Sequence, residues 1–151
     1  MSVNSVLLDG LAKFAASANI GFTYTPNGLY SASQTGIYVV ALPDKPDRAM
    51  TLTAVNQGDD ITNAFGQVMV QARFRGLPNQ PLDTENLGDS VFDVFHGTTN
   101  LIFGGVTVVQ MNRRVSIPMG QDAAKRFERV DQYYLDVSTP TTTNRPAGGS
   151  W

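Results

Sequence analysis

The residues best equipped for chemistry in this sequence are one histidine, His96, and one adjacent carboxylate pair, Asp59 and Asp60. An imidazole acting as a general base needs a nucleophile or an orienting carboxylate held beside it. His96 instead falls in the last turn of a predicted helix that Gly97 closes. A histidine there favours the negative end of the helix dipole and can bond free carbonyls, which is a structural role. Two neighbouring aspartates in a polar loop do not make a calcium site, which needs several oxygens at defined steps. No G-x-S-x-G elbow surrounds a serine. The pairs Gly104-Gly105 and Gly148-Gly149 lack the Lys and Ser/Thr of a phosphate loop. Cysteine is absent, which removes disulfides, zinc–thiolate sites and thiol catalysis together and fits synthesis in a cytosol. The expectation is no enzyme, no metal and no cofactor, with a small enzyme kept as a distant alternative.

What the chain offers instead is surface. At 151 residues it predicts one domain burying roughly 70% of the surface its unfolded chain exposes, so it needs no metal or disulfide to hold it together. The net charge of -2, with Arg113-Arg114 and Lys125-Arg126 as its small basic spots, argues against tight DNA binding, which phosphate neutralisation drives. No apolar run approaches the roughly 20 residues of a membrane helix, and Met1-Ser2-Val3-Asn4 lacks the basic start of a secretory signal. The expectation is a soluble, single-domain protein.

The elements that position these residues follow from apolar spacing. Leu7, Leu8, Leu11, Phe14, Ala15 and Ala18 recur at helical intervals and predict a helix over 5–18, capped by Ser5 or Asn4 and weakened by Gly10. Residues 19–35 read as a long connection with a turn at Pro26-Asn27-Gly28, pinned to the body by Phe22, Tyr24 and Tyr30. Strands are expected over 37–42 and 49–55, joined as a hairpin by Pro43-Asp44-Lys45-Pro46-Asp47-Arg48. A strand over 65–75 alternates sharply: Val68, Val70, Ala72 and Phe74 point one way, Gln67, Gln71, Arg73 and Arg75 the other. Leu87, Val91, Val94 and Phe95 predict a second helix over 83–96, capped by Asp83 or Thr84. Gly104-Gly105 between apolar runs predicts a hairpin within 100–111, and 127–137 a long last strand. Four or five strands, mainly antiparallel or mixed, with two helices packed on one face make an α+β domain over residues 1–138. Residues 139–151 carry almost no apolar content until Trp151. They predict an extended arm whose Arg145 and Trp151 reach a neighbouring subunit.

An ordered series of these motifs resembles the minor capsid or tail terminator family of long-tailed bacteriophages. It comprises Thr35-Gly36-Ile37-Tyr38, then Leu42-Pro43 with Pro46-Asp47-Arg48 ahead of a strand. Val70-Gln71-Ala72-Arg73-Phe74-Arg75-Gly76 follows, then a helix ending in His96-Gly97 and a hairpin. The series closes with Gly120-Gln121-Asp122 and Arg126 before the final strand. It spans roughly residues 24–137. The family's Gly before that Arg is replaced by Ala123-Ala124-Lys125, and the loop 56–64 has no counterpart.

The resemblance implies a structural virion protein made in the host bacterial cytoplasm and placed at the head-tail junction. Terminators look like a sheet flanked by helices, assembled as a six-membered ring. The ring caps the tail tube, ends its polymerisation and offers the surface on which the head docks. Implied partners are further copies of the chain, the tail tube protein, a head-completion or connector protein and the end of the tape-measure protein, with DNA only passing through the lumen. A head-completion or stopper protein is the alternative within the same class. On this reading Gln71, Arg73 and Arg75 are expected at the ring interface or lumen. Asp59 and Asp60 tip a loop contacting the tube or connector, and Arg145 and Trp151 belong to the inter-subunit arm.

Overall fold

A computed structural model describes residues 2–60, 64–140 and 142–144. Its elements run α1 (Val3–Ser17), β1 (Phe22–Thr23), β2 (Thr35–Val39), β3 (Ala49–Asp59), β4 (Phe65–Pro78), α2 (Pro81–Phe95), β5 (Thr99–Phe103), β6 (Val106–Gln121) and β7 (Arg126–Ser138). The strands form one seven-stranded mixed sheet in the order β1-β2-β3-β4-β7-β6-β5. With the two helices this is an α+β fold, as expected, though with more strands than the apolar runs suggested. Leu7, Leu11 and Ala15 of α1 and Val91 and Phe95 of α2 share one core with Leu52, Val68, Val70, Phe74, Tyr133, Leu135 and Val137 of the sheet. Phe14 stacks on Phe95, with ring centroids 6.0 Å apart. No helix among the described residues is long and apolar enough to cross a membrane.

The clearest departure from expectation is the pairing of β2 with β3. They are parallel, with Gly36 beside Ala49 and Val39 beside Leu52, so Pro43-Asp44-Lys45-Pro46-Asp47-Arg48 is not a hairpin turn. Residues 40–48 carry the chain back along the strand it has just left. Parallel neighbours require such a return, and about a dozen residues or a helix usually provide it. The shorter return here is held by arginines from two other strands, described below.

The helix caps also move. Ser2, not Asn4 or Ser5, caps α1: its side chain accepts the Ser5 amide at 3.0 Å. At α2, Gln80 is the cap residue without a side-chain bond and Pro81 opens the helix, where its missing N–H costs nothing. Asp83 and Thr84 do other work. Asp83 accepts the Leu77 amide and the Arg48 guanidinium, while the Thr84 hydroxyl donates to the Phe127 carbonyl. Gly97 ends α2 as expected, at φ +81, a left-handed conformation glycine adopts at little cost.

The connection over 19–35 is pinned by its aromatics. Phe22 is buried, Tyr24 donates to Asp9, and Tyr30 donates to the Ile37 carbonyl. Burial and the Asp9 carboxylate together push the Tyr24 hydroxyl up to about 12. The hairpin turn at Gly104-Gly105 joins β5 to β6 as expected.

Gly10 sits inside α1 because the Phe103 ring of β5 packs against it: a Cβ there would stand 2.3 Å from the ring. Gly10→Ala gains about 1 kcal/mol of helix propensity but overpacks a site with a typical cost of about 1–3 kcal/mol. A net loss of about 1 kcal/mol is expected, read as a lower urea midpoint. A higher midpoint would mean that the hairpin shifts freely.

Candidate assembly surface

Two buried arginines hold the return between β2 and β3. Arg75 of β4 is 4% exposed. Its Nε donates to the Asp47 carbonyl at 2.9 Å, and its Nη2 to the carbonyls of Pro46 at 2.7 Å and Asp44 at 3.2 Å. Arg126, at the start of β7, bonds the Asp44 carbonyl and carboxylate, the Asp47 carboxylate and Asp122. A guanidinium offers five donors in a rigid fork, so two of them can saturate an irregular loop that has no ladder of its own. Arg75 therefore does not join Gln71 and Arg73 on an open surface. Alternation sets all three on one strand face, but the loop folds over the end of the strand and takes Arg75 inside.

The same corner explains Gly120-Gln121-Asp122 and Arg126. Asp122 Oδ1 accepts the amides of Ala124 and Arg126, and Oδ2 accepts Arg126 Nε. Lys125 adopts φ +65, so a lysine takes the left-handed position that a glycine would fill without strain. Arg48 completes the clamp, gripping Asp83 of α2 through two bonds of 2.6 and 3.0 Å.

Acid should loosen this corner. Lys45, then Arg126, hold the Asp47 carboxyl below its usual range despite partial burial. Burial pushes Asp83 and Asp122 up, but Arg48 with the Leu77 amide, and Arg126 with its own amide, outweigh it and hold both low. Their folded values lie below the free-chain 3.8. The stability they contribute is thus complete above about pH 5 and is lost as pH falls through 3.8 and below. Urea midpoints measured from pH 6 to pH 3 should fall mainly below about pH 4. The drop should shrink in Asp83→Asn, and an equal drop in that variant would overturn the assignment.

The remaining sheet face, turned away from the core, is open in part: Thr51, Met69 and Val130 on it are buried, while Gln71, Arg73, Val115 and Ile117 reach solvent. Cross-strand neighbours share a face. Thr53, Gln71 and Gln132 line up across β3, β4 and β7, as do Thr51, Arg73 and Val130. Arg73 lies half exposed and paired with Glu128 at 2.6 Å. Next to them β6 carries Val115, beside Gln132, and Ile117, beside Val130. Both are more than a third exposed, as is Met119. This second half of β6 was not expected: Arg113-Arg114 precede it, and Pro118 and Gly120 within it read as breakers rather than as strand. The signal was there in Val115, Ile117 and Met119, three apolar residues at intervals of two.

Asp59 and Asp60 stand at the end of β3, where with Phe65, Gly66 and Asp136 they line a shallow hollow. Residues 61–63, within that loop, and Arg145 and Trp151 lie outside the described residues. The basic spots do not merge into a track. Arg113 lies 4.0 Å from the Phe92 ring centre and bonds Asp131, Arg114 covers Tyr134, and Arg126 is buried. His96 stacks on Phe92, and its Nδ1 accepts the Arg113 amide at 3.0 Å. It closes α2 onto β6 as an acceptor rather than by donating to helix carbonyls. Among the described residues no group of His, Asp or Glu could hold a metal ion.

These features describe a protein organised around a sheet, a clamped corner and exposed surfaces. The fold has a counterpart among solved structures: a chain from the virion of a native gene transfer agent particle superposes with a TM-score of 0.68 at 13% identity. The match covers 91% of this chain and 98% of that one, and at that identity it speaks for the fold alone. No curated protein sequence matches. The sequence profile described as bacteriophage tail terminator protein matches residues 18–139, which take in every strand of the sheet, the clamp and α2. With that match the chain belongs to the bacteriophage tail terminator family, a family of structural virion proteins.

Proposed function

We propose that this chain forms a ring, six-membered as in the terminators it resembles, that caps the tail tube, ends its polymerisation and offers the docking surface for the head. The observation that carries this reading is the open sheet face of β4, β7 and β6, set beside the family match. On it Gln71, Arg73, Val115 and Ile117 are available to a partner while the other face builds the core. In this reading the two helices lie together on the core face, and the open face contributes Gln71 and Arg73 to the ring contact or the lumen. Arg75 acts from inside by holding the 40–48 return in shape.

The loop tipped by Asp59 and Asp60 meets the tube below or the connector above. The arm over 139–151, separate from the domain over 1–138, reaches a neighbouring subunit through Arg145 and Trp151. Its start is anchored on its own domain, where Thr139 bonds the Ala64 carbonyl and Pro140 lies against Gly105. The ring sits at the head-tail junction after synthesis in the host cytoplasm, near the end of the tape-measure protein. A net charge of -2 suits a lumen that lets DNA pass without gripping it.

Particles made without this chain test the reading. Free heads together with overlong or uncapped tails are expected under electron microscopy. Tails of normal length that fail only at head joining would assign the chain to a stopper instead.

A further inference from the structure

The geometry points to an edge-to-edge contact between consecutive copies of this chain, the exposed half of β6 in one copy against the open half of β3 in the next. This inference rests on the ring reading and names the surfaces that would make the ring.

Both edges are half covered, at opposite ends of the sheet. β5 pairs with β6 only as far as Gln110, Gly97 and Thr98 bond Met111 and His96 bonds the Arg113 amide, and residues 114–121 beyond them are all exposed. On the other side β2 pairs with β3 only as far as Leu52, so beyond it β3 is flanked by β4 alone among the described residues. An uncovered strand edge presents a row of N–H and C=O groups that another chain can pair with, unless something blunts it. Here Pro118 has no N–H to give, and the register of β6 is broken near Arg113 and near Pro118. Such features discourage an arbitrary strand and leave the choice of partner to side chains.

Three observations select a second copy as that partner. Each strand from β3 through β4 and β7 to β6 is antiparallel to the last, so a next copy continuing the sheet brings its β3 antiparallel to β6. The open half of β3 begins where β2 ends and that of β6 past Arg113, where β5 and residues 96–98 end, so the projecting part of one copy fits the step of the other. The charges agree as well. Setting Val55, 39% exposed, against Ile117, 40% exposed, carries exposed Asp59 to the end of the open stretch of β6, beside exposed Arg114. Two different surfaces meet in this contact, which is heterologous and propagates from copy to copy until it closes.

The chain has no cysteine, so one thiol per edge is a clean probe. In assembled particles, Val55→Cys combined with Ile117→Cys should give, on mild oxidation, a covalent ladder rising past dimer to a closed ring, absent from each single variant. A dimer from Ile117→Cys alone would mean that like edges meet, and overturns the contact. Rings visible by microscopy without a ladder would overturn it too while leaving the ring reading standing. Particles carrying the chain as single copies would sink the ring itself. Charge exchange gives a second route should the thiol variants assemble poorly. Arg114→Glu and Asp59→Arg should each lower incorporation at least tenfold, and together restore most of it. A combined variant no better than the worse single one overturns the inference.

Discussion

Asp131→Ala should unfold this protein more readily than other single truncations in the sheet, with an expected loss of about 3–5 kcal/mol, the range for breaking one side of a buried ion pair. Asp131 lies in β7, 0% exposed. It accepts Nε and Nη2 of Arg129 at 2.8 Å each, Nη1 of Arg113 at 3.3 Å and the Ser116 hydroxyl at 2.7 Å. Arg129 is itself 3% exposed and reaches on to Glu85 and Asp89 of α2. This network ties α2 to β7 and β6. The guanidinium passes so close under α2 that a Cβ on Gly88 would stand 2.5 Å from its central carbon. Removing the carboxylate leaves a buried cation facing only the two rim carboxylates, which solvent screens. For a chain of this size such a loss lowers Tm by roughly 10 °C. Asp131→Asn keeps the shape and part of the bonding and should lose about half as much. Glu85→Ala and Asp89→Ala, truncating partners that are 49% and 68% exposed, should each cost less than about 1 kcal/mol. Urea unfolding followed by circular dichroism measures all four. A loss below about 1 kcal/mol for Asp131→Ala would show that the rim carboxylates suffice.

The contrast between the network and the strands shows which parts of the fold could be read from the sequence. The alternation of Val68, Val70, Ala72 and Phe74 in β4 is a local, period-two signal, and the structure buries those four residues. The Gly104-Gly105 hairpin and the Gly97 stop are local in the same sense. What could not be read was set by partners far away in the chain. Nothing near Arg75 distinguishes it from Arg73: the difference is made by carbonyls at 44–47, which fold back over one and not the other. The parallel pairing of β2 and β3 was hidden for the same reason, since adjacent strands with a proline-rich link between them read as a hairpin until Arg75 and Arg126 are seen holding that link. The second half of β6 was hidden because Pro118 and Gly120 interrupt it and mask the spacing of Val115, Ile117 and Met119. Exposed apolar residues in a strand mark an interaction surface rather than a core, and Val115 and Ile117 are informative on that ground.

Arg73 and Arg75 should therefore part company when each is reversed to Glu. Arg75→Glu puts a carboxylate among the carbonyls of Asp44, Pro46 and Asp47, where a buried guanidinium had satisfied all three. An unpaired buried charge costs several kcal/mol, so a loss of about 3 kcal/mol or more is expected, with failure to accumulate folded chain. Arg75→Met avoids the buried charge and should lose about 1–3 kcal/mol, because the loop carbonyls still lack their donors. Arg73→Glu sits on the open face, where its pairing with Glu128 is 47% exposed on the arginine side. Exposed pairs contribute about 0–1 kcal/mol, so the variant should fold with nearly native stability. It changes the charge of the face by two units beside Glu128, and a surface that docks a partner cannot absorb that without loss of fit. The expected outcome is a folded chain that enters particles poorly. Sedimentation and thermal melts report the first half, and counts of joined, correctly capped tails report the second. Normal particles from folded Arg73→Glu would remove this face from assembly and leave the edges of β3 and β6 to make the ring. A melted Arg73→Glu would place that arginine in the clamp with Arg75.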